Sequence, residues 1–440
     1  MKLYNTLTRK VEEFKPIKRD KVGIYMCGMT VQDRPHLGHI RSFLVGDVLR
    51  RYLEYRGYHV DYVQNFTDID DKIIEKMHSE GTDWRDIGHR YTDEYLSAAS
   101  KLNIKKANHF PRATQFIQEI IELVNILLEK GYAYLTPSKN VYFDVSKFEG
   151  YGKLSGKKLD ELKEGARVEP DPEKKNPFDF ALWKQHKEGE PYWYSPWGKG
   201  RPGWHIECSA MSTHFLGQPF DIHMGGQDLI FPHHEDEIAQ SEAAYGKKFV
   251  NYWVHIGFMQ IKGEKMSKST GLFFAIEDIL KEYDPNTVRL FVLQKHYRSP
   301  MDYTEEFLKS TEEAWKKLEN TMHKAHFYQN TTLNAELISE FEKHMDEDLN
   351  TPKAIGKIFS YIKEHPEDPH TPAFLLKVLG FEPKESKTSE KLDKIMEVIL
   401  KVRNALRRDK QFAYADMIRN ELNKLGIKVK DGRDKTEWTL

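Results

Sequence analysis

A short apolar strand, a loop and an amphipathic helix near the N-terminus most constrain the fold. Residues 22–27 are predicted to be the strand, and apolar side chains at helical spacing from Ile40 to Leu53 predict a helix over residues 38–56. A second strand is expected at residues 60–66. Strands and helices that alternate through short connections predict an α/β fold with a doubly wound, parallel sheet.

Two separated stretches suit phosphate binding. His36 and His39 lie at the predicted helix start, where unpaired N–H groups and the helix dipole favour anions. Gly38 between them allows close approach to the backbone. The alternative is an ordinary strand–helix turn whose histidines cap the helix. Far along the chain, Lys265 and Lys268 belong to the sequence KMSKS and suit a mobile loop that closes over a polyphosphate.

Composition favours an ordinary soluble protein of two to four domains. No run is long and apolar enough to span a bilayer and no secretory signal pattern is present, so we expect a cytoplasmic protein without membrane contact. Only two cysteines, Cys27 and Cys208, occur, which argues against a disulfide framework. Glycine-rich dinucleotide motifs and Walker motifs are missing, which argues against dehydrogenases and P-loop enzymes.

Residues 115–200 are expected to form an insertion between the two halves of the sheet. A helix at residues 115–128 precedes a predicted hairpin and a charged segment at 153–176, which we expect to be a mobile loop. The aromatic cluster at residues 178–204 is interpreted as the core of a small domain rather than a base-stacking surface. The sheet is predicted to resume at residues 220–224.

Residues 387–440 form a basic segment. They contain 14 Lys/Arg and 9 Asp/Glu, a net charge of +5, whereas the whole chain has −1. Two helices, at 390–409 and 412–425, and a basic strand at 427–430 are expected. A basic segment on a slightly acidic body suggests a nucleic-acid contact, although such a bias also occurs on plain solvated surfaces.

Two cysteines, a histidine and a glutamate form a candidate metal site. His233 and Glu237 are four residues apart on a predicted helix and so point the same way. Cys27 and Cys208 are expected to precede helices on neighbouring strands of the sheet. Two thiolates, an imidazole and a carboxylate are a plausible tetrahedral zinc set. The spacing alone leaves an alternative, in which both cysteines are small buried apolar residues.

Five further motifs, taken with the histidine loop and KMSKS, resemble one known family. They are YxCGxT at 25–30, GWHIECSAM at 203–211, FPHHExEIAQ at 231–240, HYRSP at 296–300 and DLNTP at 348–352. Together they are similar to the cysteinyl-tRNA synthetases of class I, and the likeness extends over essentially the whole chain.

The resemblance implies a two-step reaction on cysteine, ATP and tRNA(Cys). The cysteine carboxylate attacks the α-phosphate of ATP, pyrophosphate leaves with Mg²⁺, and the cysteinyl group moves to the terminal ribose of the tRNA. The family is expected to work as a monomer with one zinc ion per chain. That ion would bind the substrate thiolate and exclude serine, and its implied ligands are Cys27, Cys208, His233 and Glu237.

The resemblance also implies roles for single residues. Catalytic groups are His36, His39, Lys265 and Lys268. Nucleotide contacts are Gly28, Thr30, His36, Gly38, His39, Gly225, Gly226, Asp228 and Lys268. The cysteine pocket comprises Thr67, Trp204 and His223. Anticodon contacts are Arg407, Phe412, Asp416, Asp431 and Trp438. The alternative is a helical cap in which Phe412 is a core residue and Trp438 covers a helix end.

Six segments are predicted along the chain. They are a first catalytic half (1–114), an inserted domain (115–200), a second catalytic half (201–262), the lysine loop with a stem-contact region (263–305), a helical domain (306–386) and an anticodon-binding domain (387–440). Two other functions stay open: a tRNA-independent cysteine ligase of the same fold with an amino-sugar acceptor, and a non-catalytic RNA-binding relative. The intact histidines and lysines argue against the second.

Replacing Lys268 with alanine is expected to lower the rate of adenylation far more than the affinity for cysteine. The lysine charge matters most while the phosphate geometry changes, so its loss acts on the transition state. ATP–pyrophosphate exchange measures the rate, and an unchanged rate would remove Lys268 from the mechanism.

Overall fold

Strands and helices alternate as far as residue 261, and helices predominate beyond residue 274. The structure, a computed structural model, describes residues 1–157, 171–261, 264–265, 274–327, 332–384, 387–431 and 436–439. Its strands are β1 (Lys2–Asn5), β2 (Lys10–Glu13), β3 (Lys21–Met26), β4 (His59–Gln64), β5 (Ala133–Leu135), β6 (Val141–Phe143), β7 (Phe180–Gln185), β8 (Trp193–Ser195), β9 (Gly198–Pro202), β10 (Phe220–Gly226), β11 (Val250–Ile256), β12 (Met259–Ile261), β13 (Glu264–Lys265), β14 (Met301–Asp302), β15 (Lys428–Asp431) and β16 (Thr436–Thr439). Its α-helices are Leu37–Tyr55, Asp71–Glu80, Trp84–Lys101, Ile117–Glu129, Trp204–Leu216, Glu235–Tyr245, Ile276–Glu282, Pro285–Leu293, Glu305–Phe327, Ala335–Asp346, Thr351–Glu364, His370–Val378, Lys387–Arg408 and Phe412–Lys424.

A four-stranded parallel sheet, with strand order β11-β10-β3-β4, forms the centre of the fold and confirms the predicted class. Ile222 of β10 lies opposite Ile24 of β3 and Tyr252 of β11. Ile24 and Ile222 are fully buried, as expected for a parallel sheet that helices cover. Because the four strands run the same way, their carboxyl ends meet at one edge of the sheet.

The predicted helix after β3 is confirmed as Leu37–Tyr55, and its apolar face is buried against the sheet. Two charged residues, Arg41 and Asp47, are buried with that face. An Asp47 carboxylate oxygen lies 2.9 Å from Nε of Arg51 and 2.9 Å from Nη1 of Arg289, which comes from helix Pro285–Leu293. This buried ion pair joins the first helix of the sheet to the region beyond residue 274.

The insertion contains a five-stranded antiparallel sheet with strand order β5-β6-β7-β9-β8. Trp183 and Trp197 of the aromatic cluster are buried, as expected for a small domain core. Tyr194 is 74% exposed and Tyr192 is 38% exposed, so the cluster is divided between core and surface. Much of the segment predicted as a mobile loop, residues 158–170, lies outside the described residues.

Four helices between residues 305 and 378 form the predicted helical region. Two of them contact the catalytic half: the Tyr52 hydroxyl donates to Asp346, and Tyr55 packs edge-on against Phe374. Trp315 is buried and stacks on Phe381. Within the described parts of the chain, no helix is long and apolar enough to cross a membrane.

The C-terminal unit has its own small core. The two predicted helices are confirmed as Lys387–Arg408 and Phe412–Lys424, and the hairpin β15-β16 follows them. Met396, Leu400, Leu422 and Ile427 form a hydrophobic cluster separate from that of the main body.

Replacing Asp47 with alanine is expected to lower the free energy of unfolding by about 3–5 kcal/mol, because the buried Arg289 guanidinium loses its carboxylate. Equilibrium unfolding in urea measures the loss. Asp278→Ala, which opens an exposed ion pair with Arg34, is the matched control and should cost far less. Equal losses of unfolding free energy would show that the buried Asp47–Arg289 pair stabilises the fold no more than an exposed pair does.

Candidate active site

A cavity of about 790 Å³ lies at the carboxyl edge of the central sheet. Cys27 follows β3, Gly226 ends β10 and Gly257 follows β11, and all three line the cavity. Of the expected nucleotide contacts, those that line it are Gly28, Thr30, His36, Gly38, His39, Gly226 and Asp228. Residues from three separate strand ends are therefore brought together around one space.

His36 and His39 cap the helix and line the cavity at the same time. His36 Nδ1 accepts the backbone N–H of His39 at 3.2 Å, and His39 Nδ1 accepts that of His36 at 3.4 Å. The two rings stack with their centroids 3.6 Å apart. A Cβ atom on Gly38 would lie 2.9 Å from the His36 ring, so only glycine fits this arrangement. The two histidines can thus cap the helix, as in the alternative interpretation, and still face the cavity in which phosphate binding is predicted.

Gly225 is not among the residues that line this cavity. It lies against the His234 ring, and a Cβ atom there would come within 2.7 Å of the His234 Cε1 atom. The close approach of this ring to β10 requires a glycine.

The four expected metal ligands form one buried cluster. The donor atoms of Cys27, Cys208, His233 and Glu237 all lie within 4.8 Å of one another, and every one of these residues is buried. The two Sγ atoms are 3.8 Å apart, Cys27 Sγ is 3.7 Å from Glu237 Oε1, and His233 Nε2 is 3.0 Å from the same oxygen. Ligands at zinc bond lengths in a tetrahedron lie ~3.3–3.8 Å apart. The cluster could hold a metal ion with little movement.

The elements that supply two of these residues differ from the predictions. Cys208 lies within helix Trp204–Leu216, which follows β9 of the antiparallel sheet, so the expected position after a strand of the central sheet is wrong. The packing of that helix against β3 and β4 still brings its thiol to Cys27.

His233 precedes the helix on which it was predicted. It lies in a π-helical turn, Ile230–His234, and the α-helix begins only at Glu235. Phe231 has extended backbone angles (φ −141°, ψ 130°), because the ring of Pro232 disfavours helical angles at the residue before it. The contact between His233 and Glu237 forms despite this change.

The charges of the cluster favour a thiolate beside a protonated imidazole. The hydrogen bond with Cys27 lowers the pKa of Cys208 to about 6, whereas burial raises the pKa of Cys27 well above its usual value. Burial opposes a charge on His233, but the Glu237 carboxylate raises its pKa to about 10. Burial opposes a charge on Glu237 as well, yet His223 and His233 lower its pKa to about 2. Cys208 and Glu237 would therefore offer two anionic donors to a cation at this site.

Further histidines surround the cluster, and two of them, His234 and His255, are not among the residues that the sequence predicts here. His234 Nδ1 lies 2.8 Å from His255 Nε2, and His234 Nε2 lies 3.3 Å from Cys27 Sγ. His223 Nε2 lies 2.8 Å from Glu237 Oε2. Cys27, His223, His234 and Glu237 form a second, overlapping set of possible ligands. In the sequence, the adjacent histidines at 233–234 are the feature that could have indicated a further histidine beside the cluster.

The expected cysteine-pocket residues lie in two environments. Trp204 is 38% exposed, lines the cavity and packs on the His233 ring with centroids 4.4 Å apart. Thr67 is buried and donates from Oγ1 to Glu207 Oε2 at 2.9 Å, and His223 is fully buried. Burial raises the pKa of Glu207 well above its usual value, and this carboxyl was not foreseen from the sequence.

The expected lysine loop lies mostly outside the described residues. Lys265 ends β13, whose backbone pairs with β12 directly after the cavity residue Met259. Residues 266–273, which include Lys268, are not among those that the structure describes.

The expected anticodon residues all belong to the C-terminal unit. Phe412 is 55% exposed, which excludes its alternative as a core residue. Trp438 packs against the small core of the unit. Asp416 pairs with Arg419 at 3.1 Å, and Arg407 lies in the last turn of its helix. Only the backbone of Asp431, at the end of β15, is described.

Comparison with known proteins gives matches along the whole chain. Residues 13–313 match the family described as "tRNA synthetases class I (C) catalytic domain", residues 389–438 match "Cysteinyl-tRNA ligase anticodon binding domain", and residues 340–365 match "DALR domain". Two similar proteins are the cysteine–tRNA ligases of Thermodesulfovibrio yellowstonii (46% identical, covering 100% of this chain and 99% of that protein) and Pyrococcus abyssi (48%, 100% and 98%). A solved structure of Mycobacterium tuberculosis methionyl-tRNA synthetase with methionyl-adenylate has a TM-score of 0.59 at 14% identity, covers 82% of this chain and 89% of its own, and shares the fold.

Proposed function

The chain belongs to the class I cysteinyl-tRNA synthetase family, and we propose that its buried Cys/His/Glu cluster binds zinc to select cysteine over serine. Its activity is that of a cysteine–tRNA ligase, since relatives with this name cover its full length. Cysteine is first activated by ATP to cysteinyl-adenylate and is then transferred to the 3′ end of tRNA(Cys). The observation that carries the zinc proposal is the cluster of Cys27, Cys208, His233 and Glu237.

The donor set suits zinc better than a hard cation. Two sulfurs and one imidazole nitrogen are preferred by zinc, whereas magnesium and calcium prefer oxygen. When bound, zinc supplies a strong preference for a thiolate over a hydroxyl, which an apolar pocket cannot give, since such pockets separate near-isosteres by roughly two orders of magnitude. Trp204 packs on His233 beside the cluster and lines the cavity, where it would contact the bound cysteine.

The nucleotide is proposed to occupy the same cavity. His36 and His39, at the positive end of their helix, face the phosphates, and Gly226 and Asp228 contact the nucleoside. Lys265 and Lys268 supply positive charge to the pyrophosphate, which leaves with Mg²⁺. Catalysis of adenylation then rests on positioning and electrostatic stabilisation, because no covalent intermediate with the protein is required.

The alternative of a tRNA-independent cysteine ligase is not favoured. The last segment, residues 389–438, matches an anticodon-binding domain, which an enzyme with an amino-sugar acceptor would not need. We further propose that the enzyme acts as a monomer, because each chain carries a complete set of the site residues named above, and that it acts in the cytoplasm, where translation uses its product.

Purified protein is expected to hold about one zinc ion per chain, and Cys208→Ser is expected to lose most of it, because a hydroxyl is a poor zinc ligand. Elemental analysis measures the metal, and Ser212→Ala, one turn along the same helix, is the matched control. A protein that is free of metal and still activates cysteine in preference to serine would contradict the zinc proposal.

Removal of residues 387–440 is expected to preserve ATP–pyrophosphate exchange with cysteine and to abolish most charging of tRNA. The separate core of this unit explains why activation should survive. Each lost stacking contact with an anticodon base is worth ~1–3 kcal/mol. In the full chain, Phe412→Ala tests one exposed aromatic ring without deletion, by charging kinetics. Equal charging by truncated and full-length protein would show that the tail does not read the anticodon.

A further inference from the structure

A buried carboxylate of the helical region is bonded to two distant parts of the catalytic body. The Asp348 side chain is 5% exposed. Its Oδ1 accepts the backbone N–H of Tyr4 at 2.8 Å and the Tyr297 hydroxyl at 2.6 Å, and its Oδ2 accepts Nε–H of Arg298 at 2.6 Å. The guanidinium of Arg298 also lies over the Tyr4 ring, 4.4 Å from its centroid. One carboxylate thus ties β1 and residues 297–298 to the turn that carries it.

The backbone of that turn is held in an uncommon conformation. Asp348 and Leu349, which lie between helices Ala335–Asp346 and Thr351–Glu364, have φ values of 57° and 51°. Side chains other than glycine rarely adopt these angles, and they persist where surrounding contacts fix them. The contacts here are the Asp348 N–H to Lys2 carbonyl bond at 3.2 Å and the bonds of the carboxylate itself.

Residues 297–301, the first two of which bond to Asp348, lie directly against the wall of the nucleotide cavity. The N–H of Gly257 donates to the Tyr297 carbonyl at 2.8 Å, and the N–H of Met301 donates to the Phe258 carbonyl at 2.9 Å. Met301 also pairs with Met259 where β14 and β12 run parallel. Gly257, Phe258 and Met259 all line the cavity.

Arg41 joins the same wall to the helix that carries His36 and His39. It is 1% exposed, and its Nη1 donates to the carbonyls of Gly257 and Phe258, each at 2.8 Å, while its Nη2 donates to the Ser299 carbonyl at 2.6 Å. Residues 297–301 are therefore hydrogen-bonded to both sides of the cavity. Arg41 connects them to the capped helix, and backbone bonds connect them to the strand end at residues 257–259.

We propose that Asp348 is a positioning residue for ATP, which sets the place of the wall at residues 257–259 through Tyr297 and Arg298. It touches no substrate, and it acts from the helical region, beyond the segment that carries the nucleotide motifs. The inference rests on the proposed binding of ATP in this cavity. Cysteine binding should be unaffected, since the cluster and Trp204 lie on other elements. Cys27 follows β3, His233 and Glu237 follow β10, and Trp204 and Cys208 lie on the helix that follows β9.

Asp348→Asn in the full-length enzyme tests the proposal. Exchange of pyrophosphate into ATP is measured at varied ATP and, separately, at varied cysteine. Because small misplacements of a binding wall have large kinetic effects, kcat/KM for ATP is expected to fall about tenfold, while KM for cysteine changes by less than about twofold.

The matched control is Asp346→Asn, two residues away. Asp346 also bridges the helical region and the catalytic body, with oxygens 2.7 Å from the Tyr52 hydroxyl and from Nη1 of Arg56, but among the described residues it forms no hydrogen bond or ion pair with residues 297–301. It should lower the melting temperature without changing the ATP parameters. Equal effects of the two variants on ATP kinetics, or a parallel rise in KM for cysteine, would overturn the proposal.

Two further variants keep the test decisive. The double variant Arg298→Ala/Asp348→Asn should lower kcat/KM for ATP no further than the more damaging single change, because both substitutions break the same connection. If Asp348→Asn does not fold, Tyr297→Phe removes a single hydroxyl and should lower kcat/KM for ATP about threefold. His39→Ala distinguishes the ATP site from the positioning role. Unchanged pyrophosphate exchange in that variant would refute the ATP site itself. Unchanged ATP kinetics in the Asp348 variants, with a loss in His39→Ala, would refute only the positioning role.

Discussion

Parallel pairing of β10 with both β3 and β11 decides where the chemistry of this protein takes place. The backbone N–H of Cys27 donates to the Met224 carbonyl at 2.9 Å, so the pairing continues to the last residue before the loop. Because the strands are parallel, the residues that follow them lie at one edge, although long stretches of chain separate them. The cavity, the capped helix start and the metal cluster all depend on that edge.

Buried charges then connect the elements that the sheet alone would leave independent. Asp47 with Arg289, Arg41 with its carbonyls and Asp348 with Arg298 each join segments that are far apart in sequence. Such groups are costly to bury unless they are satisfied, so each one favours a single arrangement of its neighbours over all others. They hold the region beyond residue 274 against the first half of the catalytic body more specifically than apolar contacts would.

The metal cluster shows how burial and charge combine in the proposed discrimination. Glu237 remains ionised because His223 and His233 outweigh its burial, and Cys208 gives up its proton more readily than Cys27 because it receives a hydrogen bond from Cys27. A buried, anionic, sulfur-containing site suits a divalent ion that accepts sulfur ligands, and such an ion would provide the proposed selection for a thiol. Selection at binding of this kind requires no separate editing site.

The sequence by itself determined the class of fold, the strand–loop–helix unit with its two histidines and the identity of the four residues in the buried cluster, because period and motif are local properties or shared with a family. Helix Leu37–Tyr55 and strands β3 and β4 lie within a residue or two of their predicted bounds. Local patterns did not predict that Cys208 lies inside a helix or that His233 lies in a π-helical turn, since each depends on packing between elements. Tertiary structure alone decided that His234 and His255 lie beside the cluster and that Thr67 donates to Glu207. It also decided that the Asp348 carboxylate accepts hydrogen bonds from Tyr4 and Arg298. No periodic pattern along the chain relates the members of these pairs, so their contacts cannot be predicted from the sequence.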